Sequence, residues 1–262
     1  MLKLNIYGAE SAPPVLFLHP GNATGRNWEG LAKALPGYRV ICPDLPGFGD
    51  SAHIPLTTIE AAADEVARAL DAAGITDPLP VMGYSLGAYT GMMLLLRHPD
   101  RVERALLTSF QIEPLKGAWW MIPLGDLIAP LMTFAWPRRQ AFKSLGIPET
   151  SSWWPSDDAP SDAATLRAIS RIAVRFDIRD RLTEIGTPCL IMAGEKEQKT
   201  IKKAVAQIPR QVPGAIGLIA PGGHGWPASH EALFTHTVRA WLDQTPLPAD
   251  LHPPEQARSQ AA

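Results

Sequence analysis

The sequence predicts an α/β protein in which helices flank a mostly parallel central sheet. Short apolar runs alternate with helix-like segments through the first half. This alternation is typical of a parallel sheet covered on both faces. Glycine-containing turns follow several of the apolar runs. The alternation stops between about residues 109 and 161, where tryptophan and proline are concentrated.

The strands and helices can be placed from local patterns. Seven short segments, apolar throughout or alternating, are predicted strands: residues 1–6, 15–18, 40–42, 79–82, 105–108, 189–193 and 215–220. A helix is predicted over residues 58–73, opened by a capping box of Thr57 and Glu60 and closed by Gly74. Further helices are predicted over 88–97 and 202–208 and after a cap at Ser229. The proline-rich, polar tail beyond Pro246 is predicted to be disordered.

Composition excludes several classes of partner. The 262 residues suffice for one large domain, with or without an insertion. A formal net charge of -2 gives no indication of nucleic acid or of an anionic membrane as a partner. No apolar run is long enough to span a bilayer, and the first residues lack a basic region followed by an apolar stretch. A cytoplasmic location is therefore expected, for a monomer or a homodimer.

The two cysteines carry no sign of chemistry. Cys42 and Cys189 each lie within an apolar run. Buried thiols on strands are the simplest interpretation, since two isolated cysteines give neither a disulfide framework nor the paired spacing of a zinc site.

The most informative motif is Gly83-Tyr84-Ser85-Leu86-Gly87, which lies between a predicted strand and a predicted helix. A serine with glycines two residues away on either side, at such a junction, is typical of a nucleophile elbow. The turn is so sharp that side chains at the flanking positions would collide with neighbouring backbone. The serine hydroxyl is expected to project from the tip of the turn.

Two later segments offer partners for Ser85. The strand predicted over 189–193 ends in Gly194-Glu195-Lys196-Glu197, and the strand over 215–220 is followed by Pro221-Gly222-Gly223-His224-Gly225. The chain order is therefore serine, acid, histidine, each just past the end of a strand. His224 is the predicted base, because imidazole can take a proton from serine near neutral pH.

This order, together with two further motifs, resembles the α/β-hydrolase family from about residue 2 to residue 242. Residues 44–51 are similar to the family's D-x-P-G-x-G-x-S loop, and residues 98–102 to its H-P-x-R-V segment. The resemblance implies a hydrolase core at 1–110 and 181–245, a helical cap at 111–180 and a tail at 246–262. It also implies that no metal or organic cofactor takes part.

The resemblance leaves three candidates for the acid. Family members commonly carry Asp at the position of Glu197, and a glutamate there can also orient the imidazole. Glu195 is the nearest alternative. Glu113, past the strand at 105–108, occupies a position that some members use. Glu197 is preferred, against the alternative that 195–199 is simply a solvated charged run.

The resemblance also implies an oxyanion hole of two backbone N–H groups. One is expected from Leu86, the residue after the nucleophile. The family usually has His-Gly after the strand that here ends at Leu18, whereas this chain has His19-Pro20-Gly21. Because proline has no N–H, Gly21 is the predicted second donor and Asn22 the alternative.

The aromatic residues of the insertion are predicted to line an apolar substrate pocket, although part of them could form the insertion's own core. Five of the chain's eight tryptophans lie in the segment. The predicted pocket residues are His19, Asn22, Tyr84, Trp119, Trp120, Trp136, Trp153 and Trp226.

Three functional hypotheses follow. The preferred one is a serine hydrolase that cleaves an ester or lactone of a hydrophobic small molecule through an acyl-enzyme on Ser85. The same machinery would serve a C–C bond hydrolase or a cofactor-free haloperoxidase or perhydrolase. From a different class comes a ligand-binding or receptor protein with vestigial catalysis, which the replacement of Asp by Glu197 and the presence of Pro20 favour weakly.

Overall fold

One seven-stranded sheet organises the chain in the computed structural model, which describes residues 1–151, 153–154 and 161–254. The strand order is β1-β3-β2-β4-β5-β6-β7, and every neighbouring pair is parallel except β1 with β3. The strands are β1 (Leu4–Tyr7), β2 (Pro14–Leu18), β3 (Arg39–Pro43), β4 (Leu79–Tyr84), β5 (Val102–Thr108), β6 (Cys189–Gly194) and β7 (Ile216–Ala220). The predicted fold class is confirmed.

Nine α-helices accompany the described strands. They are α1 (Glu29–Lys33), α2 (Ile59–Ala72), α3 (Leu86–Arg97), α4 (Ala118–Ile128), α5 (Ala135–Ser144), α6 (Ala163–Arg175), α7 (Lys199–Gln211), α8 (Trp226–Ser229) and α9 (Glu231–Asp243). No helix among the described residues is long and apolar enough to cross a membrane.

Burial on both faces of the sheet explains the apolar strands. Along β2, Leu16 and Leu18 join the core cluster that contains α2, α3 and α7, whereas Val15 and Phe17 join the cluster that contains α9. Successive strand residues point to opposite faces, so a strand covered on both sides must be apolar throughout. Cys42 and Cys189 are fully buried free thiols on separate strands, and burial raises the pKa of Cys189 to about 12.

Two predicted helix caps are wrong by one or two residues. Thr58, not Thr57, precedes α2 in an extended conformation, and its hydroxyl accepts from the Ala61 N–H at 3.1 Å. The predicted pair of Thr57 and Glu60 therefore does not form a capping box. Ser229 ends α8 instead of capping α9, which starts at Glu231 after His230.

The predicted break in the alternation coincides with helices α4, α5 and α6, which lie between β5 and β6. We call residues 111–180 the insertion. Helix α4 approaches α6 closely at Gly125, where an added Cβ would stand 2.6 Å from the Ser170 hydroxyl oxygen. Pro155 and Pro160, which also marked this segment in the sequence, lie outside the described residues.

The disorder predicted beyond Pro246 is wrong for the part of the tail that the structure describes. Residue Leu251 is buried, and His252 exchanges two backbone hydrogen bonds with Ile219 of β7. This contact extends the sheet edge by one bridge. Residues 255–262 lie outside the described part of the chain.

Candidate functional site

Ser85 occupies a strained turn between β4 and α3. Its φ of 51° lies in the left-handed region, which residues other than glycine rarely adopt. A Cβ on Gly83 would stand 2.5 Å from the Gly87 carbonyl oxygen, and one on Gly87 only 2.0 Å from that of Leu18. Both glycines are therefore required by close backbone approach, as the motif predicted. The turn leaves the Ser85 hydroxyl in the wall of two cavities.

The structure brings Ser85, His224 and Glu197 into one hydrogen-bonded chain. The Ser85 Oγ lies 3.0 Å from His224 Nε2, and His224 Nδ1 lies 2.7 Å from Glu197 Oε1. With Nδ1–H donating to the carboxylate, Nε2 is left to accept the serine proton. The Glu197 side chain is only 1% exposed, so its charge acts on the imidazole with little screening by water.

Backbone contacts between two loops explain why Glu197 reaches His224. The Glu195 N–H donates to the Ala220 carbonyl at 2.8 Å, and the Lys196 N–H donates to that of Gly222 at 2.9 Å. A Cβ on Gly194 would stand 2.4 Å from the Gly223 carbonyl oxygen, so glycine is needed for this approach. The acid turn is thereby fixed against the loop that carries the histidine.

The other two candidate acids point elsewhere. Glu195 is exposed, and its carboxylate lies 4.0 Å from the Lys196 ammonium. Glu113 pairs with Lys203 on α7 at 2.5 Å. Of the three acids weighed from the sequence, Glu197 is the one whose carboxylate contacts His224.

Tyr84 contacts the loop that carries His224. Its hydroxyl donates to the His224 backbone carbonyl at 2.8 Å. Burial, and then the negative charge of Glu197, raise the pKa of this phenol, so Tyr84 stays a neutral donor. Tyr84 also lines the smaller cavity, as predicted for the pocket.

The predicted oxyanion donors come from two segments, the loop after β2 and the start of α3. Gly21 and Asn22 line the smaller cavity together with Ser85, and within the described residues neither of their N–H groups donates to a backbone carbonyl. Asn22 has a φ of 60°, again in the left-handed region. Leu86 is the first residue of α3, where the N–H has no acceptor within the helix. None of the three N–H groups therefore has a backbone acceptor among the described residues.

His19 supports the loop of residues 20–22 and does not line either cavity beside Ser85, so its predicted place in the pocket is wrong. The side chain is fully buried, with Nδ1 2.8 Å from the Pro20 carbonyl and Nε2 accepting from the Leu45 N–H at 2.9 Å. Burial lowers the pKa of His19 to about 4, which keeps the ring neutral. Asp44 completes the support by accepting from the Gly25 N–H at 2.8 Å.

Two cavities meet at Ser85 and His224. The smaller has a volume of about 150 Å³ and is mostly apolar, and the larger has a volume of about 650 Å³ and is more polar. Leu145 also lines both. The smaller cavity is lined by residues 20–23, Tyr84, Ser85, Phe142, Leu145, Ile147, Trp153, Ile169 and His224. The larger includes Tyr89, Ser109, Gln111, Leu115, Lys196, Glu197 and Gln198.

Only one of the predicted pocket tryptophans lines a cavity beside the serine. Trp153 lines the smaller cavity and packs edge-on against Tyr84, with ring centroids 5.8 Å apart. Trp226 is fully buried below the site, where its indole N–H donates to Thr108 Oγ1 at 2.9 Å. The prediction is wrong for Trp226 and for three exposed residues of the insertion, Trp119, Trp120 and Trp136.

Sequence reasoning missed the aliphatic and polar lining of both cavities. Leu145 and Ile147 flank Gly146 at the end of α5, and Ile169 lies on α6. Their apolar character did not distinguish them from core residues of the insertion. Ser109, at the carboxyl end of β5, has a positive φ of 67°. The residue types there did not predict this unusual backbone conformation.

A serine on a strand-to-helix turn, with a histidine and a carboxylate on the loops of later strands, defines the class of α/β hydrolases. The chain belongs to the α/β-hydrolase fold family, whose model matches residues 13–227. Among the described residues, no group of three or more His, Cys, Asp or Glu side chains could hold a metal ion.

Relatives in this family carry names of ester hydrolases. The chain is 34% identical to a pimeloyl-[acyl-carrier protein] methyl ester esterase of Neisseria meningitidis serogroup B (strain H44/76), over 89% of this chain and 94% of that protein. It is 35% identical to the sn-1-specific diacylglycerol lipase ABHD11 of Mus musculus, over 68% of this chain but only 54% of that protein. A solved hydrolase from Pseudomonas aeruginosa PA01 shares the fold, with a TM-score of 0.80 and 22% identity over 92% of this chain and 94% of that one.

Proposed function

We propose that the protein is a serine hydrolase that cleaves an ester or lactone bond of a hydrophobic small molecule through an acyl-enzyme on Ser85. The observation that carries the proposal is the hydrogen-bonded chain from Ser85 through His224 to the buried Glu197 carboxylate, placed where two cavities meet. The esterase and lipase names of its relatives support the same reaction class.

In the first half-reaction, Ser85 Oγ attacks the substrate carbonyl carbon while His224 Nε2 takes the hydroxyl proton. The negative charge on the carbonyl oxygen is held by the N–H groups of Leu86 and of Gly21, with Asn22 as the alternative. Removal of one such donor typically costs about a hundredfold to a thousandfold in kcat. The intermediate then collapses as His224 returns the proton to the leaving alcohol.

In the second half-reaction, water attacks the acyl-enzyme, again with His224 as the base, and frees the acid and Ser85. Glu197 holds the imidazole in the orientation and tautomer that keep Nε2 available, and it stabilises the imidazolium that forms transiently. The side chain of Glu197 extends one methylene further than the Asp common in the family, and the fixed turn after Gly194 accommodates that length.

In this proposal the insertion is the cap, and residues 1–110 and 181–245 form the hydrolase core. Residues Phe142, Leu145, Ile147 and Ile169 from α5, α6 and the loop between them close the smaller cavity over Ser85. Apolar lining with few polar groups favours an apolar substituent on the reacting carbonyl. The larger cavity has room for the remainder of the substrate.

A binding role with vestigial catalysis fits the site less well. A vestigial site has no reason to retain a strained Ser85, a 3.0 Å contact to His224 and a buried carboxylate behind it, because each is costly to maintain. The replacement of Asp by Glu and the presence of Pro20 both leave the required groups in place.

The test is hydrolysis of p-nitrophenyl esters of increasing acyl length by the wild type and by Ser85→Ala and His224→Ala. We expect turnover by the wild type and a loss of at least about a thousandfold in kcat in each variant, because removal of either residue disables nucleophilic attack. Thermal unfolding of each variant serves as the control for folding. Absence of turnover in a folded wild type, or undiminished turnover in Ser85→Ala, would contradict the proposal.

A further inference from the structure

The insertion exposes an apolar surface that the proposed active site does not use. Eight large hydrophobic side chains on α4, the following turn and α5 are at least 43% exposed, and Trp119 reaches 83%. We call them the apolar face: Trp119, Trp120, Leu124, Leu127, Ile128, Leu131, Phe134 and Trp136. Apart from Asp126, α4 is apolar, and a helix of that composition normally lies in a protein core or against lipid. Eight exposed apolar side chains within residues 119–136 point to an interaction site.

Charge is absent from this face and concentrated beside it. Between residues 117 and 137 the only charged residue is Asp126, whose carboxylate pairs with Arg171 of α6 at 2.7 Å. The backbone carbonyl of Asp126 accepts from Arg167 at 3.3 Å, so the acid is turned toward α6. The apolar face is therefore free of the charges that would keep it in water.

The rim of the apolar face carries basic side chains. Helix α6 has arginines at 167, 171 and 175, one turn apart, and no acidic residue; Arg171 is paired with Asp126, whereas Arg175 is exposed. Lys116 is exposed just before α4. Residues 116–175 hold seven basic and five acidic residues, whereas the rest of the chain holds 17 basic and 21 acidic residues. The segment that bears the apolar face therefore has a net excess of two basic residues in a chain whose overall charge is -2.

From this combination we infer that the apolar face docks on the surface of an anionic phospholipid bilayer. Tryptophan, phenylalanine and leucine side chains insert at the boundary of headgroups and acyl chains, where the indole ring is favoured. Neighbouring lysines and arginines gain attraction from the negative surface potential. A second copy of the chain matches less well, because pairing through this face would bring two cationic rims together. The inference does not depend on the proposed reaction.

Docking through the apolar face would affect access to the proposed active site. Leu115, three residues before α4, lines the larger cavity beside Ser85. Docking would therefore hold the insertion, and one wall of that cavity, close to the lipid surface. An apolar substrate dissolved in the bilayer would have a short path to the serine.

The experiment is sedimentation of the full chain with phosphatidylcholine vesicles, with and without phosphatidylglycerol, combined with tryptophan fluorescence. We expect binding to the anionic vesicles, a blue shift of emission as exposed tryptophans enter the interface, and weakening by salt. The double variant Leu127→Gln with Phe134→Gln should bind about tenfold or more weakly, because both side chains lose apolar burial. The matched control is Ile6→Gln, which changes an exposed residue of β1 and should bind as the wild type does.

Thermal unfolding and hydrolysis of a water-soluble ester monitor the fold of the double variant, since neither residue lines a cavity beside Ser85. A wild type that stays in the supernatant with anionic vesicles would overturn the inference, as would equal binding by the double variant. A dimer in light scattering that the double variant abolishes, without vesicle binding, would assign the face to a second copy instead.

Discussion

At the residue scale, the identity of the acid depends on contacts that are remote in sequence. Glu195 and Glu197 are two residues apart in a polar run, and local pattern alone did not separate their roles. The backbone bonds from Glu195 and Lys196 to the following loop turn the Glu197 side chain inward, to 2.7 Å from His224. Its chemical role is thus a prediction that can be tested against its neighbour.

We predict that Glu197→Gln lowers kcat by about a hundredfold to ten-thousandfold, because an amide neither carries the charge that stabilises the imidazolium nor enforces the tautomer. The matched control is Glu195→Gln, which alters an exposed carboxylate and should leave kcat within about twofold. Ester hydrolysis by the two purified variants is the measurement. Equal activity in both variants would reject Glu197 as the orienting acid.

A second prediction at this scale concerns the elbow. Gly87→Ala should destabilise the fold by about 2–5 kcal/mol or prevent folding, because the new Cβ would stand 2.0 Å from the Leu18 carbonyl oxygen. Gly30→Ala, in α1, is the control: no atom lies within 4 Å of its added Cβ, and alanine favours the helix. Urea unfolding compares the two, and a Gly87→Ala protein as stable as the wild type would refute the close approach.

At the element scale, the insertion shows where sequence reasoning reaches its limit. The position of the insertion in the chain could be predicted from the loss of strand and helix alternation. The orientation of its helices could not be predicted, because α4 is apolar apart from Asp126 and its sequence pattern does not distinguish a buried from an exposed apolar face. The exposed Trp119 and the cavity-lining Trp153 are the same residue type in the same segment. Packing between distant elements determines which of the two tryptophans lines a cavity beside Ser85.

Leu145, which lines both cavities, gives the prediction for this scale. Leu145→Ala should enlarge the space beside Ser85 and raise the ratio of kcat/KM for long over short acyl esters by about tenfold, since the freed volume admits additional methylenes. The control is Leu124→Ala, which truncates an exposed leucine of the same insertion away from both cavities. Rates on a series of p-nitrophenyl esters are compared. An unchanged chain-length profile would show that Leu145 does not limit the site.

At the scale of the whole molecule, the sequence predicted the sheet, its flanking helices and the order of the reactive residues. It did so because strand burial and strand-end turns leave strong local patterns. The ordered segment up to Pro254 was missed, since the pairing of His252 with Ile219 depends on a sheet edge that is distant in sequence. The partner of His19, the Leu45 N–H, lies 26 residues away, so its full burial beneath the loop instead of in the pocket was not predicted either.

The burial of His19 predicts how the stability of the whole molecule depends on pH. The folded pKa of about 4 lies below the ordinary value of 6.5, so the unfolded chain binds the extra proton between these values. The contribution is present above pH 6.5 and is lost as the pH falls toward 4, with a full magnitude on the order of 3 kcal/mol.

Urea unfolding of the wild type and of His19→Gln from pH 7 to about pH 4 measures this contribution. The variant should be less stable at neutral pH but should lose less stability on acidification, because it lacks the buried imidazole. Parallel pH profiles for the two proteins would show that His19 does not couple folding to protonation.

The most direct test of Ser85 as the activated nucleophile is labelling with a fluorophosphonate probe, followed by peptide mass mapping. The probe reacts with a serine only when a base activates it and an oxyanion site receives the phosphonyl oxygen. We expect stoichiometric labelling of the native wild type at Ser85, loss of that label in Ser85→Ala and strong reduction in His224→Ala. A folded wild type that does not label, or a label on a different serine, would contradict this expectation.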